Sequence, residues 1–205
     1  KKANNLVSLR LSFKQSDKID PVSFFVASKV TGFNIYSKDN PDLNYISLEY
    51  TQRPPDNLIE ILGLLLEANI NSQKRKEERI LLTQDAIRKL GLKTKETQVL
   101  IEGVPRKGII RDLSFSGAKI IVVGVAKFLI DKAIVIKLVL DDKAKIITLK
   151  GKVIRYEPVE GRKDLAALVV YFDEKSIPME YKMKINDYLT HMRKTNQPDP
   201  GVSNE

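Results

Sequence analysis

Apolar residues in the first part of the chain recur with the period of two that marks half-buried strands. In NLVSLRLSF, residues 5–13, Leu9, Leu11 and Phe13 share one face, which predicts a strand. Residues 22–36, VSFFVASKVTGFNIY, are rich in β-branched and aromatic side chains and are punctuated by Thr31-Gly32, where a turn makes the stretch a hairpin. Turn residues at 38–42 precede a further strand over 45–51. This region reads as a small β domain with no chemistry legible in it.

The period then changes. Pro54, Pro55 and Asp56 open a helix, proline being tolerated in a first turn whose N–H groups lack partners anyway. Leu58, Ile61, Leu62, Leu65 and Ala68 form a stripe that Ile59, Leu64, Leu66 and Ile70 widen almost all round, so the helix is expected to be covered on more than one side, between the N-terminal domain and its neighbour. Asn69, Asn71, Ser72 and Gln73 interrupt the pattern, and the helix is expected to end about there.

Thr83 caps a short helix over 84–90 that Gly91 terminates. Strand alternation returns at 98–102, 107–113, 118–123, 133–140, 145–156 and 165–172, with turns at Gly103, 115–117, 141–142 and 160–161. Six such strands predict a closed or nearly closed antiparallel barrel. After Pro178, Tyr181, Ile185, Tyr188, Leu189 and Met192 recur at helical spacing, so a last helix is expected to plug one end of that barrel. Residues 196–205, NQPDPGVSNE, are a polar tail. The predicted fold is mainly β with α, in three parts: an N-terminal β domain with its linking helix over 1–73, a barrel domain over 74–195 and the tail.

Composition adds two limits. No run of 18 apolar residues is present to span a membrane, and no signal peptide is legible, although the sequence opens on Lys1 and a removed leader stays open. Zero cysteines exclude disulfides, thiol catalysis and Cys-based zinc sites and fit a reducing compartment, so a cytoplasmic location is expected. The net charge of +9 is unevenly placed: residues 1–73 hold 8 Lys+Arg and 8 Asp+Glu, so the whole excess lies from residue 74 onward. A basic half suits an anionic partner, whether nucleotide, nucleic acid or membrane surface.

Chemistry gathers in two short segments. KRKEER, Lys74 to Arg79, follows the apolar helix and contains R-x-x-x-R as Arg75 and Arg79. DLSFSG begins 33 residues after Arg79 and contains D-x-S-x-x-G as Asp112, Ser114 and Gly117. Guanidinium groups pair bidentately with phosphate or with the O6/N7 edge of guanine and stack on bases. A carboxylate on Asp112 accepts from guanine N–H groups, the Ser114 hydroxyl serves phosphate or base, and Gly117 lets backbone approach a ligand. Each segment also has a plain structural reading, the first as a solvated helix end with a Lys74–Glu78 pair, the second as an ordinary hairpin turn.

Together, in this order and with the second at a strand end of a six-strand, one-helix pattern, the two segments resemble the motifs of the PilZ domain over about residues 74–195. The resemblance implies a receptor for cyclic di-GMP, with Arg75 and Arg79 carrying the arginine motif and Asp112, Ser114 and Gly117 the second. Lys74, just ahead of the first arginine, is the position that influences whether one ligand or an intercalated pair binds. The stretch from Arg53 to Arg79 is similar to the junction of two-domain PilZ proteins of the flagellar-brake and spirochaetal kind, which implies an output to partners such as motility machinery, with a possible protein partner through the N-terminal domain. The free KRKEER segment is expected to be mobile because its arginines repel, and a ligand at this junction is expected to fold it onto the barrel and move the two domains relative to each other. Two features depart from the family pattern: the short helix after Arg79, and LAALVVYF in the last strand, where many relatives carry glycine.

No enzyme, metal or cofactor is expected. His191 is the single histidine, Asp141 and Asp142 read as a hairpin tip, and neither G-x-x-x-x-G-K-[ST] nor G-x-G-x-x-G occurs. Two alternatives stay open: an RNA- or DNA-binding basic barrel, for which the basic half offers few aromatics, and a PilZ-like interaction module without ligand.

Overall fold

The computed structural model describes residues 5–13, 21–37, 40–124, 126–142 and 145–196. The chain divides into two compact units, Lys1–Gly63 and Leu64–Glu205.

The first unit is built on an antiparallel sheet of β1 (Leu6–Phe13), β2 (Val22–Ser37) and β3 (Asn40–Tyr50), in that order. The hairpin expected at Thr31-Gly32 is not formed. β2 runs unbroken through it, and the pairing slips by one residue between Val30↔Leu48 and Gly32↔Ser47. A bulge absorbs Thr31 because β-branched and aromatic residues on both sides keep pairing with β3, and Gly32 has no positive φ to reverse the chain. Asn40 already pairs with Ser37, so β3 starts earlier than expected, and residues 38 and 39 of the turn lie outside the described residues.

Helix α1 (Asp56–Lys74) buries Leu58 and Ala68, whereas Ile59, Leu64, Leu66 and Ile70 are 43%, 44%, 62% and 50% exposed. The helix ends at Lys74, directly after the polar stretch at which its end is expected. Within that last stretch Asn71 Nδ2 donates to Asn186 Oδ1 at 2.7 Å in a buried contact, and the Ser72 hydroxyl donates to the Asn69 carbonyl at 2.7 Å.

In the second unit, β5 (Glu96–Ile101), β6 (Val104–Leu113), β7 (Gly117–Val123), β8 (Ala133–Val139), β9 (Ile146–Val159) and β10 (Arg162–Phe172) run in the order β6-β5-β8-β9-β10-β7. The additional β6–β7 pairing closes them into a six-stranded antiparallel barrel. Strands begin and end tighter to their turns than alternation alone indicates. Glu102 and Gly103 both take positive φ, 50° and 81°, the conformation of a two-residue hairpin turn, so β5 and β6 pair right up to Ile101↔Val104. A short β4 (Ile80–Leu81), not foreseen from the sequence, pairs with the end of β6 as Ile80↔Leu113 and Leu81↔Asp112. Thr83 caps α2 (Gln84–Lys89), its hydroxyl accepting from Ala86 N at 3.2 Å, and Gly91 follows at φ 65°.

One apolar cluster fills the barrel, drawing Val99, Ile110, Ile120, Ile136, Leu149, Leu168 and Val170 from its strands, with Ala86 and Ile87 from α2. Tyr181, Ile185 and Leu189 of α3 (Met179–Asn196) belong to the same cluster, as the helical spacing predicts. The Tyr181 ring meets Phe172 edge-on at 5.8 Å, and its hydroxyl donates to the Ser114 carbonyl at 2.7 Å. Burial pushes the Tyr181 hydroxyl far above its ordinary pKa, so it acts only as a neutral donor. Tyr181→Phe should lower stability by about 1–2 kcal/mol in denaturant unfolding, because it leaves the buried Ser114 carbonyl without this donor while keeping the ring.

Candidate functional site

The two motifs are brought together by the smallest strand of the fold. Because Ile80 and Leu81 pair with Leu113 and Asp112, Arg79 is delivered beside the end of β6. Its Nη1 donates to Asp112 Oδ1 at 2.5 Å, with the Arg79 side chain 35% and the Asp112 side chain 10% exposed. Arg75 lies in the turn after α1: its N–H donates to the Asn71 carbonyl at 2.9 Å, and its carbonyl accepts from Glu78 N at 3.2 Å. The guanidinium of Arg75 is half-buried, and its Nη1 is enclosed with no hydrogen-bond acceptor. Lys74 is exposed at the last position of α1.

The charge run is not a bare hinge. Lys76 pairs with Glu174, which raises the Lys76 pKa, and Arg193 of α3 donates to Glu78 at 2.7 Å. The Ser116 hydroxyl donates to the Lys76 carbonyl at 2.8 Å, which ties the run directly to the turn after β6. Sequence reasoning passed over Ser116 because a serine in a turn gives no signal of its own. Glu174 and Arg193 were equally invisible, since their partners lie about a hundred residues away in the chain.

Ser114 and Gly117 also hold the turn itself together. Ser114 is fully buried, and its N–H donates to the Gly117 carbonyl at 2.8 Å while its hydroxyl accepts from Gly117 N at 3.1 Å. The hydroxyl closes the turn. A Cβ on Gly117 would lie 2.3 Å from the Val170 carbonyl oxygen, so the close approach this glycine permits is to the backbone of β10. The other set-aside residues fall as expected: His191 is exposed on α3, and Asp141 and Asp142 are exposed beyond β8. Among the described residues no group of three or more His, Asp or Glu could hold a metal ion, and no helix is long and apolar enough to cross a membrane.

A closed six-stranded barrel whose rim turn is bonded to an arginine-bearing segment ahead of it defines a small β-barrel domain. The chain belongs to the PilZ family: residues 73–191 match the PilZ domain and residues 1–69 the PilZN3 domain. It is 53% identical over 188 residues to a protein of Treponema denticola named cyclic di-GMP binding protein, a match that covers 92% of this chain and 60% of that relative. The chain thus spans about three fifths of that relative's length. Among solved structures, it is similar to the Borreliella burgdorferi PlzA protein in complex with c-di-GMP, with 30% identity, 90% of this chain and 69% of that chain covered, and a TM-score of 0.43. The Klebsiella pneumoniae MrkH–c-di-GMP complex is similar at 14% identity, with 92% and 72% covered and a TM-score of 0.41.

Gly117→Ala should destabilise the barrel by about 1–3 kcal/mol or more, read as a lowered melting temperature in the absence of any ligand, because the added methyl meets backbone that cannot rotate away. An unchanged melting temperature would return Gly117 to a role toward ligand alone.

Proposed function

We propose that this chain is a cyclic di-GMP receptor without catalytic activity, acting in the cytoplasm, whose site comprises Lys74, Arg75, Arg79 and Asp112 on the turn that Ser114 and Gly117 build. The observation that carries the reading is the direct Arg79–Asp112 bond, which joins the two motifs. Cyclic di-GMP presents two phosphates and two guanines, so it offers both the anionic acceptors that two guanidinium groups need and the N–H donors that a carboxylate needs. A phosphate or guanine edge toward which the half-buried Arg75 side chain turns would satisfy a donor that the protein leaves without a partner. The T. denticola relative's name and the family match support the same ligand.

Asp112 is the guanine reader in this proposal, and Arg79 is its resident partner until the ligand arrives. Ligand binding then redistributes bonds within an existing ion pair. Because Arg75 and Arg79 directly follow α1, binding acts on the connection between the two units and is proposed to shift their arrangement. The output would pass to a partner protein, motility machinery being the class expected of two-domain PilZ proteins.

Titration of the protein with cyclic di-GMP, in the presence of GTP or a single-stranded oligonucleotide, tests the ligand. Binding that survives an excess of both supports the receptor; displacement by the oligonucleotide moves the function to nucleic acid. Arg75→Ala should weaken cyclic di-GMP binding by about 1–3 kcal/mol, roughly tenfold to a hundredfold, with an unchanged melting temperature. Arg79→Ala should weaken it similarly but also lower the melting temperature, because it strands the largely buried Asp112 carboxylate.

The absence of cysteine allows clean pairwise labelling at Ser8→Cys and Asp141→Cys, one exposed position in each unit. Energy transfer between the labels should change on saturation with cyclic di-GMP. Identical transfer with and without ligand would leave binding intact and remove the proposed domain movement.

A further inference from the structure

The register of the barrel aligns a second set of charges with the first. Asp112 of β6 pairs with Lys119 of β7, Lys119 with Val169 of β10, and Val169 with Arg155 of β9. Residues paired across antiparallel strands point to the same face, so these four form one row across four strands. At about 4.8 Å per strand spacing the row is roughly 14 Å long. It starts at the carboxylate that holds Arg79 and ends at another guanidinium.

The row lies on the outside of the barrel. Ala166, Leu168, Val170 and Phe172 belong to the interior cluster, and alternation therefore turns Ala167, Val169 and Tyr171 outward. Yet Ala167 and Val169 are only 1% and 6% exposed. Glu157, which pairs in register with Ala167, accepts from Lys119 Nζ at 2.9 Å and pairs with Arg155 Nη2 at 3.5 Å, so a cation–carboxylate–cation bridge arches over these two small residues. The Lys119 hydrogen bond, followed by the charge of Lys119 and Arg155, holds the Glu157 carboxyl below its ordinary pKa, so it is ionised at neutral pH. The neighbouring row, Ile109↔Ile121↔Ala167, is apolar, and Ile109 and Ile121 line a groove of about 610 Å³.

We infer that Lys119 and Arg155, held in place by Glu157, form the second anion-contacting half of the cyclic dinucleotide site, continuing the row that Arg79 and Asp112 begin. This rests on the receptor reading above. The far end of the row supplies two further cations for a ligand that carries two phosphates, and Ile109 and Ile121 of the neighbouring row line the apolar groove next to them. Glu157 pairs with both cations and competes with the ligand's phosphate for them.

The test is calorimetric titration of cyclic di-GMP into the full chain and into Lys119→Met, Arg155→Met, Lys119→Arg and Glu157→Gln, with Arg75→Ala as reference and melting temperature recorded for each. Lys119→Met and Arg155→Met should each bind about tenfold more weakly, with Lys119→Arg near the parent, as expected for loss of one charge-assisted contact. Glu157→Gln should bind at least as tightly as the parent at low salt, since a competing carboxylate is gone. A merely structural ion pair gives the opposite pattern, with Glu157→Gln weakened and lowered in melting temperature together with the two methionine variants, and that result overturns the inference. So does parental affinity in both methionine variants while Arg75→Ala loses binding. Failure of the parent itself to bind cyclic di-GMP overturns the receptor reading, and this one with it.

Discussion

The barrel depends on two backbone approaches that only glycine permits. A Cβ on Gly117 would lie 2.3 Å from the Val170 carbonyl oxygen, and one on Gly151 the same distance from that of Tyr171. Gly117 belongs to β7 and Gly151 to β9, the two neighbours of β10, so the last strand is gripped from both sides at one end. The turn that leads into β7 is fixed by that grip. Phe172 N donates to the Ser116 carbonyl at 2.7 Å, Ser114 closes the turn on itself, and Tyr181 binds it from α3.

A turn held this firmly serves as a fixed wall for a segment held only at its edges. The charge run touches the wall through Ser116 and Asp112 and touches α3 and the region ahead of it through Glu78 and Lys76. Most of these are partly exposed ion pairs, individually weak and open to exchange. In the proposed receptor this contrast leaves the turn side preorganised, while the charge run can exchange weak internal pairs for a ligand's phosphates. Arg75 makes the same point from the other direction, because its enclosed Nη1 has no internal pair to give up.

The exposed apolar positions of α1, Ile59, Leu64, Leu66 and Ile70, add a second consequence. In the proposed receptor these positions belong to the element that leads directly into the arginine segment, and exposed apolar surface there is available to a partner.

Local pattern alone determined the fold class, the six barrel strands, the capped helix after Thr83 and the plugging face of α3, because each is written in nearest-neighbour alternation or in side chains that bond their own backbone. It also located the two motifs. What it misread were places where a distant partner changes the meaning of a residue. Thr31-Gly32 became a bulge because β3 keeps pairing past it. The contacts that the turn of Ser114 and Gly117 makes with β10 and α3 were equally illegible, because those elements lie far along the chain. The row from Asp112 through Lys119 to Arg155 lies wholly beyond the sequence, for its members are joined only by strand register. Register is set by barrel closure, and closure is a property of all six strands at once.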